Sequence, residues 1–366
     1  MRIHPFLYAL TAALALSACS QDEVQPDVQG PKAIRLVSSL DQAPATRAFN
    51  ALNLPNKTQV YVWADMINLS DHQRTDYFNT WKLSADGAGA LSSDDTKFFP
   101  ATNLLDMYAM SGSFSGYALN EYNGLPTGGI YHTVRPDQRA ESSFYASDLL
   151  YAQVRNQEPI AAPVELHFYH MLSKIRVVLI PGTGNTTDDK YDAALLRNAT
   201  VTLLGLETRA RFTPDKYVTN EDFAKQATRA AMVEPAPKTS EDDEESIYKT
   251  DIVLQTVADV PNASGEILTT SYGEAIIVPQ EVPADKFIKV TLTDPGTGLT
   301  HDTFYRFASK FTFESGKQYQ FQLTLDRIGD TYAIAPEIKD WAPEKNDSGD
   351  PVIRSSDFTG TIKGIY

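Results

Sequence analysis

With one cysteine, Cys19, in 366 residues, the chain has no second thiol for an intramolecular disulfide. A disulfide-stapled scaffold is excluded, and the lone thiol needs another explanation. Basic residues are outnumbered, 32 Lys and Arg against 47 Asp and Glu, for a formal net charge of −15. A surface of that sign repels a phosphate backbone, so no nucleic acid is expected as a partner, and it favours solubility outside the cell.

Catalytic signatures are missing too. In "GSFSG" (112 to 116) the second serine falls one place too late for a nucleophile turn, and "GTGNTT" (182 to 187) lacks the third glycine of a dinucleotide loop. His167 and His170 in "HFYH" would share a face on a helix, but the segment reads as a strand. Residues three apart on a strand point to opposite sides, so no shared metal is expected. Leu166, Phe168, His170 and Leu172 then alternate inward, with His170 hydrogen-bonded at the edge of a core. The acids are scattered, and nothing pairs two of them as general acid and base. No enzyme, no cofactor and no metal site is expected.

What is present is a dense series of strand signals, recurring every ten to fifteen residues between Gly, Pro, Asn and Asp clusters. Examples are "TQVYVWADM" (58 to 66), "LLDMYAMSG" (104 to 112), "VELHFYHMLSKIRVVLIPG" (164 to 182), "ATVTLLGLE" (199 to 207), "EAIIVPQEV" (274 to 282), "KFIKVTLTD" (287 to 294), "TFYRFASKFTF" (303 to 313) and "QYQFQLTLD" (318 to 326). This is the pattern of antiparallel sandwiches, and the chain is long enough for two cores. The best helical stretch is "TNEDFAKQATRAAM" (219 to 232), with Asn220 as expected N-cap; "SEDDEES" (240 to 246) reads as a solvated loop. Prolines and small residues in "QEPIAAP" (157 to 163) divide the body into domains 48 to 160 and 161 to 366.

The N-terminus supplies a reason for the thiol. One basic residue, an apolar run from Phe6 to Leu16 and the small-residue end "LSAC" form a signal of residues 1 to 18, too short to span a bilayer as a mature helix. "LSAC" resembles a lipobox, with Cys19 as the lipidated residue. A polar, acidic tether follows, and then "KAIRLVSS" (32 to 39), where Ile34 and Leu36 alternate with polar neighbours as in a strand covering a core. A small-residue stretch, "QAPATRAFN" (42 to 50), places Arg47 and Ala48 between this strand and the body. Arg47 reads either as an exposed cleavage point or as an unprocessed linker arginine.

The lipobox, "ATRA" (45 to 48), "SDLLYA" (147 to 152), "LHFYHMLSKIRVVL" (166 to 179) and the closing "GKQYQFQLTL…IKDW" (316 to 341) together resemble the fimbrillin-like proteins, type V pilins, of Bacteroidales. "SQDE" after Cys19 likewise resembles an acidic signal that sends such lipoproteins to the outer leaflet of the outer membrane. The resemblance implies two tandem β-sandwich domains of transthyretin-like topology and delivery to the cell surface through a lipid anchor in the outer membrane. It further implies cleavage after Arg47 by an Arg-specific protease, so that residues 19 to 47 are a lipidated tether with a removable first strand, and assembly with other fimbrial subunits by strand exchange.

The tail "DFTGTIKGIY" (357 to 366) is the expected donor. It sets Phe358, Gly360, Ile362, Gly364 and Tyr366 on one face of an extended strand, although it reads equally well as an edge strand of its own domain. A second function stays open, a monomeric surface lipoprotein that binds glycans or host protein. It rests on Phe114, Tyr117 and Tyr122 in the loop 111 to 126.

Overall fold

The computed structural model describes residues 30–40, 53–114, 124–181, 196, 198–237, 248–257, 271–294, 296–325, 332–333 and 337–341. The first half runs through β1 (Leu36–Leu40), β2 (Gln59–Ile67), β3 (Arg74–Ala85), β4 (Ala90–Ser92), β5 (Leu104–Ser111), β6 (Ile130–Thr133), α1 (Glu141–Ala146), β7 (Leu150–Gln157) and β8 (Val164–His170). Seven of these strands close into a barrel in the order β1-β4-β3-β2-β5-β7-β8, with β8 returning to β1. Its strands alternate as half-buried strands must: Val164, Leu166, Phe168 and His170 of β8 are buried, with more exposed residues between them.

The second half contains β9 (Ser173–Pro181), β10 (Thr200–Glu207), β11 (Arg209–Phe212), α2 (Asn220–Ala224), α3 (Gln226–Ala230), β12 (Val233–Pro235), β13 (Lys249–Val253) and β14 (Gln255–Val257). It continues with β15 (Ser271–Ile277), β16 (Glu281–Val282), β17 (Lys286–Thr293), β18 (Thr300–Arg306), β19 (Phe311–Thr312), β20 (Lys317–Leu325), β21 (Tyr332–Ala333) and β22 (Glu337–Asp340). One sheet has the order β13-β10-β17-β18; the other has β14-β15-β9-β20, with β21 and β22 both on β20. They pack face to face through aromatic side chains: Phe321 of β20 meets Phe287 of β17 at 5.9 Å and Tyr305 of β18 at 5.5 Å.

The halves are tied together. β6 leaves the barrel to pair with β11, which also pairs with β12. The segment after β11 lies along the barrel wall, where Arg155 Nη1 donates to the carbonyls of Lys216 and Val218, each at 2.6 Å. Lys216 Nζ donates to Asp65 Oδ1 at 2.9 Å. Phe223 of α2 then packs edge-on against Tyr151 of β7 and Tyr169 of β8.

The chain is all-β, as the strand pattern predicts, and each predicted strand segment carries a strand. Three of the longer runs are divided. The run 164 to 182 forms β8 and β9 in different sheets, so the chain passes from barrel to sandwich between His170 and Ser173. The run 274 to 282 breaks at Pro279, which has no N–H for a ladder, and 303 to 313 splits into β18 and β19. The helical stretch also differs from expectation. Thr219, not Asn220, is the cap, its hydroxyl accepting from the Asp222 amide at 3.0 Å, and extended backbone at Lys225 separates α2 from α3. The acidic run 240 to 246 lies outside the described residues.

Candidate assembly site

β1 is a short strand inserted between two neighbours. It runs parallel to β8, from Leu36 opposite Val164 to Leu40 opposite Phe168, and antiparallel to β4, with Leu36 opposite Leu91 and Val37 opposite Ala90. The pairing begins before the strand itself: Ile34 N donates to Lys97 O at 2.8 Å, and Phe99 N donates to Lys32 O at 2.8 Å. On the other side Val164 N donates to Arg35 O at 2.8 Å, and the Arg35 guanidinium caps the Ala161 carbonyl.

The inward side chains are Ile34, Leu36, Ser38 and Leu40, all buried. Burying three branched aliphatic side chains of this size stabilises the folded chain by about 5 to 9 kcal/mol as an upper figure. The outward side is polar: Ser39 Oγ donates to Glu165 Oε1 at 2.6 Å and lies 2.9 Å from His167 Nδ1. Halfway along, Ser38 N and Ser38 Oγ both donate to Gly89 O, at 2.7 and 3.3 Å. Gly89 holds φ +108°, a backbone conformation that favours glycine, and a Cβ there would sit 3.1 Å from Asn53 Oδ1.

β8 depends on this arrangement. β7 reaches only Tyr169 and His170 of β8, whereas β1 covers Val164 through Phe168. Without β1 most of β8 would be an unpaired edge facing an open, apolar groove, the geometry that accepts a foreign strand.

The C-terminal end of β8 is anchored differently. His170 Nδ1 is hydrogen-bonded to Asp148 Oδ2 at 2.8 Å, and its ring stacks on Trp341 at 3.9 Å with 6° between planes. The turn before β20 clips onto the same junction, with Ser315 Oγ donating to Met171 O at 2.6 Å and Gly316 N to Leu172 O at 2.8 Å. Deeper in, Lys174 Nζ pairs with Glu274 Oε1 at 3.2 Å, and burial pulls the ammonium's pKa below its ordinary value. His132, fully buried, accepts from Ser113 N on Nδ1 and faces Ser147 O through Nε2; burial lowers its pKa to about 4.

Of the residues singled out from the sequence, Ile34 and Leu36 lie in the groove. Cys19, Arg47, Ala48, Phe358, Ile362 and Tyr366 lie outside the described residues, as do Tyr117 and Tyr122. Phe114, half-buried, packs edge-on against Tyr61 and His132. His167 and His170 sit on opposite sides of β8, with His170 inward as the alternation predicts. Sequence reasoning missed Ser38 and Leu40 as groove residues, although the same alternation runs on through them. It also missed Trp341 as an anchor, for which no local signal exists. Among the described residues no three His, Cys, Asp or Glu side chains converge as metal ligands, and no helix is long and apolar enough to cross a membrane.

The described residues thus form a barrel closed by a short inserted strand, joined to a β-sandwich. The chain belongs to the fimbrillin-like family, whose match covers residues 46–341. Membership supports a role as a structural subunit of a cell-surface fimbria. Solved structures share the fold: a candidate cell adhesion protein of Bacteroides ovatus ATCC 8483 is 18% identical with a TM-score of 0.55, over 87% of this chain and 100% of that one. A candidate cell adhesion protein of Bacteroides uniformis ATCC 8492 is 17% identical with a TM-score of 0.51, over 85% and 98%. No curated protein matches the chain.

Proposed function

We propose that this protein is a fimbrial subunit, stalk or tip, that serves adhesion. In this reading it is exported as a lipoprotein through Cys19, cut by an Arg-specific protease between Arg47 and Ala48, and polymerised by strand exchange. The observation that carries the reading is β1 itself. It precedes Arg47 in the chain, fills an apolar groove, and lies outside the family match, which begins at residue 46. Cleavage detaches the tether and β1 from the body. The vacated groove then takes a strand from the next subunit, for which the tail bearing Phe358, Ile362 and Tyr366 is the donor. The lipid on Cys19 holds the precursor at the outer membrane and leaves with the removed segment. The protein binds and assembles, and catalyses nothing.

Mass spectrometry of the protein recovered from the cell surface tests this. A mature N-terminus at Ala48 is expected, in oligomers that dissociate only under denaturing conditions. Protein that always begins at lipidated Cys19 and stays monomeric sinks the proposal.

A further inference from the structure

The vacated groove is not uniform along its length. At its centre the inward side chain is the small Ser38, 4% exposed, whose amide and hydroxyl both donate to Gly89 O. On either side the groove takes a leucine, Leu36 facing Leu91 and Val164 on the neighbouring strands, and Leu40 facing Phe168. A strand that replaces β1 and keeps the ladder with β8 must therefore present large, small and large side chains at alternate positions.

The tail alternates in this way, since Phe358, Gly360, Ile362, Gly364 and Tyr366 share one face of an extended strand. In the direction of β1, two registers bring a glycine to the place of Ser38. With Gly360 there, Phe358 and Ile362 take the places of Leu36 and Leu40, and Ser356 falls at the place of Ile34, which is 4% exposed. That register puts a hydroxyl into an aliphatic site. It also carries Lys363 through Tyr366 past the place of Leu40, where the ladder with β8 ends, so two of the five inward residues have no groove to fill.

With Gly364 at the place of Ser38, Ile362 and Tyr366 take the places of Leu36 and Leu40. The whole tail from Asp357 onward then falls on the places of residues 31 to 40, the stretch that is bonded to its neighbours from Lys32 O to the end of the ladder. Gly360 comes to the place of Ile34. Lys363 takes the place of Val37, directly opposite Glu165 on the outer face of β8, where opposite charges attract.

Resting on the strand-exchange reading, we infer that the groove selects its occupant by this size pattern in a strand parallel to β8. The tail of a second copy docks in one register, with Ile362, Gly364 and Tyr366 replacing Leu36, Ser38 and Leu40.

The test uses the full-length protein, cleaved with an arginine-specific protease and followed by light scattering and electron microscopy. Gly364→Val should slow assembly by about tenfold or more, the effect of forcing extra methyl groups into a packed site. Gly360→Val should assemble at least as fast as wild type, because it returns a branched aliphatic side chain to the place of Ile34. A synthetic peptide of residues 357 to 366 should cap the groove and inhibit assembly, and the same peptide carrying Gly364→Val should not, a measurement independent of how the variants fold. Loss of assembly in Gly360→Val with Gly364→Val intact overturns the register. Unchanged assembly in both, with equal inhibition by both peptides, overturns selection by size. If cleaved wild-type protein with Ala48 at its N-terminus never assembles, strand exchange itself is wrong and this inference falls with it.

Discussion

β1 beside β8 and β20 beside β9 are the two parallel ladders among the described residues, every other ladder being antiparallel. Both join segments far apart in the chain, but they are held in opposite ways. β20 is paired along its whole length, from Gln318 opposite Lys174 to Leu325 opposite Pro181, and β22 and β21 lie on its other side. Phe321 sits among Phe287, Tyr305 and Phe307. β1 is short, touches β4 at two positions, and carries no further described element on its N-terminal side. A strand can be exchanged when its removal leaves the rest of the core connected, and β1 meets that condition where β20 does not.

The contrast is open to attack in order of size. Phe321→Ala should cost about 3 to 5 kcal/mol of stability by urea denaturation, because a ring at the centre of an aromatic cluster leaves a cavity that cannot collapse. Leu36→Ala should cost about 2 to 5 kcal/mol in the intact chain. Its penalty should vanish after cleavage at Arg47, when wild type and variant become the same molecule. A Leu36→Ala penalty that survives verified cleavage would show that β1 stays bound, and one that is absent from the start would show that β1 does not cover a core.

A third effect lies between the halves. His132 is neutral and buried, with its pKa near 4 in the folded chain against 6.5 when exposed. The unfolded chain therefore takes up a proton first as pH falls. Stability is unaffected above pH 6.5, declines between 6.5 and 4, and has lost about 3 kcal/mol from this group once pH is below 4. Urea midpoints at about pH 7 and about pH 4.5, on either side of the ordinary histidine pKa, should show a smaller decline in His132→Gln than in wild type. The smallest effect belongs to the outward side of β1. Ser39→Ala removes a half-exposed hydrogen bond to Glu165 and should cost only about 0.5 to 1 kcal/mol. A larger loss would mean that the outer face, not the apolar inner one, holds the strand.

Much of this was legible before any coordinates. The alternation of Ile34 and Leu36 marks a covering strand, and the inward turn of His170 follows from its spacing to Leu166 and Phe168. β3 is harder to read from sequence, because its register shifts against β2 near Ala64 interrupt the period-two pattern that makes a strand visible. The division between β8 and β9 was invisible for a related reason: both flanking strands are apolar, and the chain is clipped where it changes sheet by residues far away in sequence, the Ser315 and Gly316 turn among them.

By itself the sequence determined the all-β class and the positions of most strands, the first one included, because these depend on local periodicity. Only the tertiary structure decided that β1 lies parallel to β8, that Ser38 is buried between Leu36 and Leu40 in its groove, and that Trp341 is stacked on His170. Each of these is a meeting of segments that no local pattern encodes, settled by which strands close the same core.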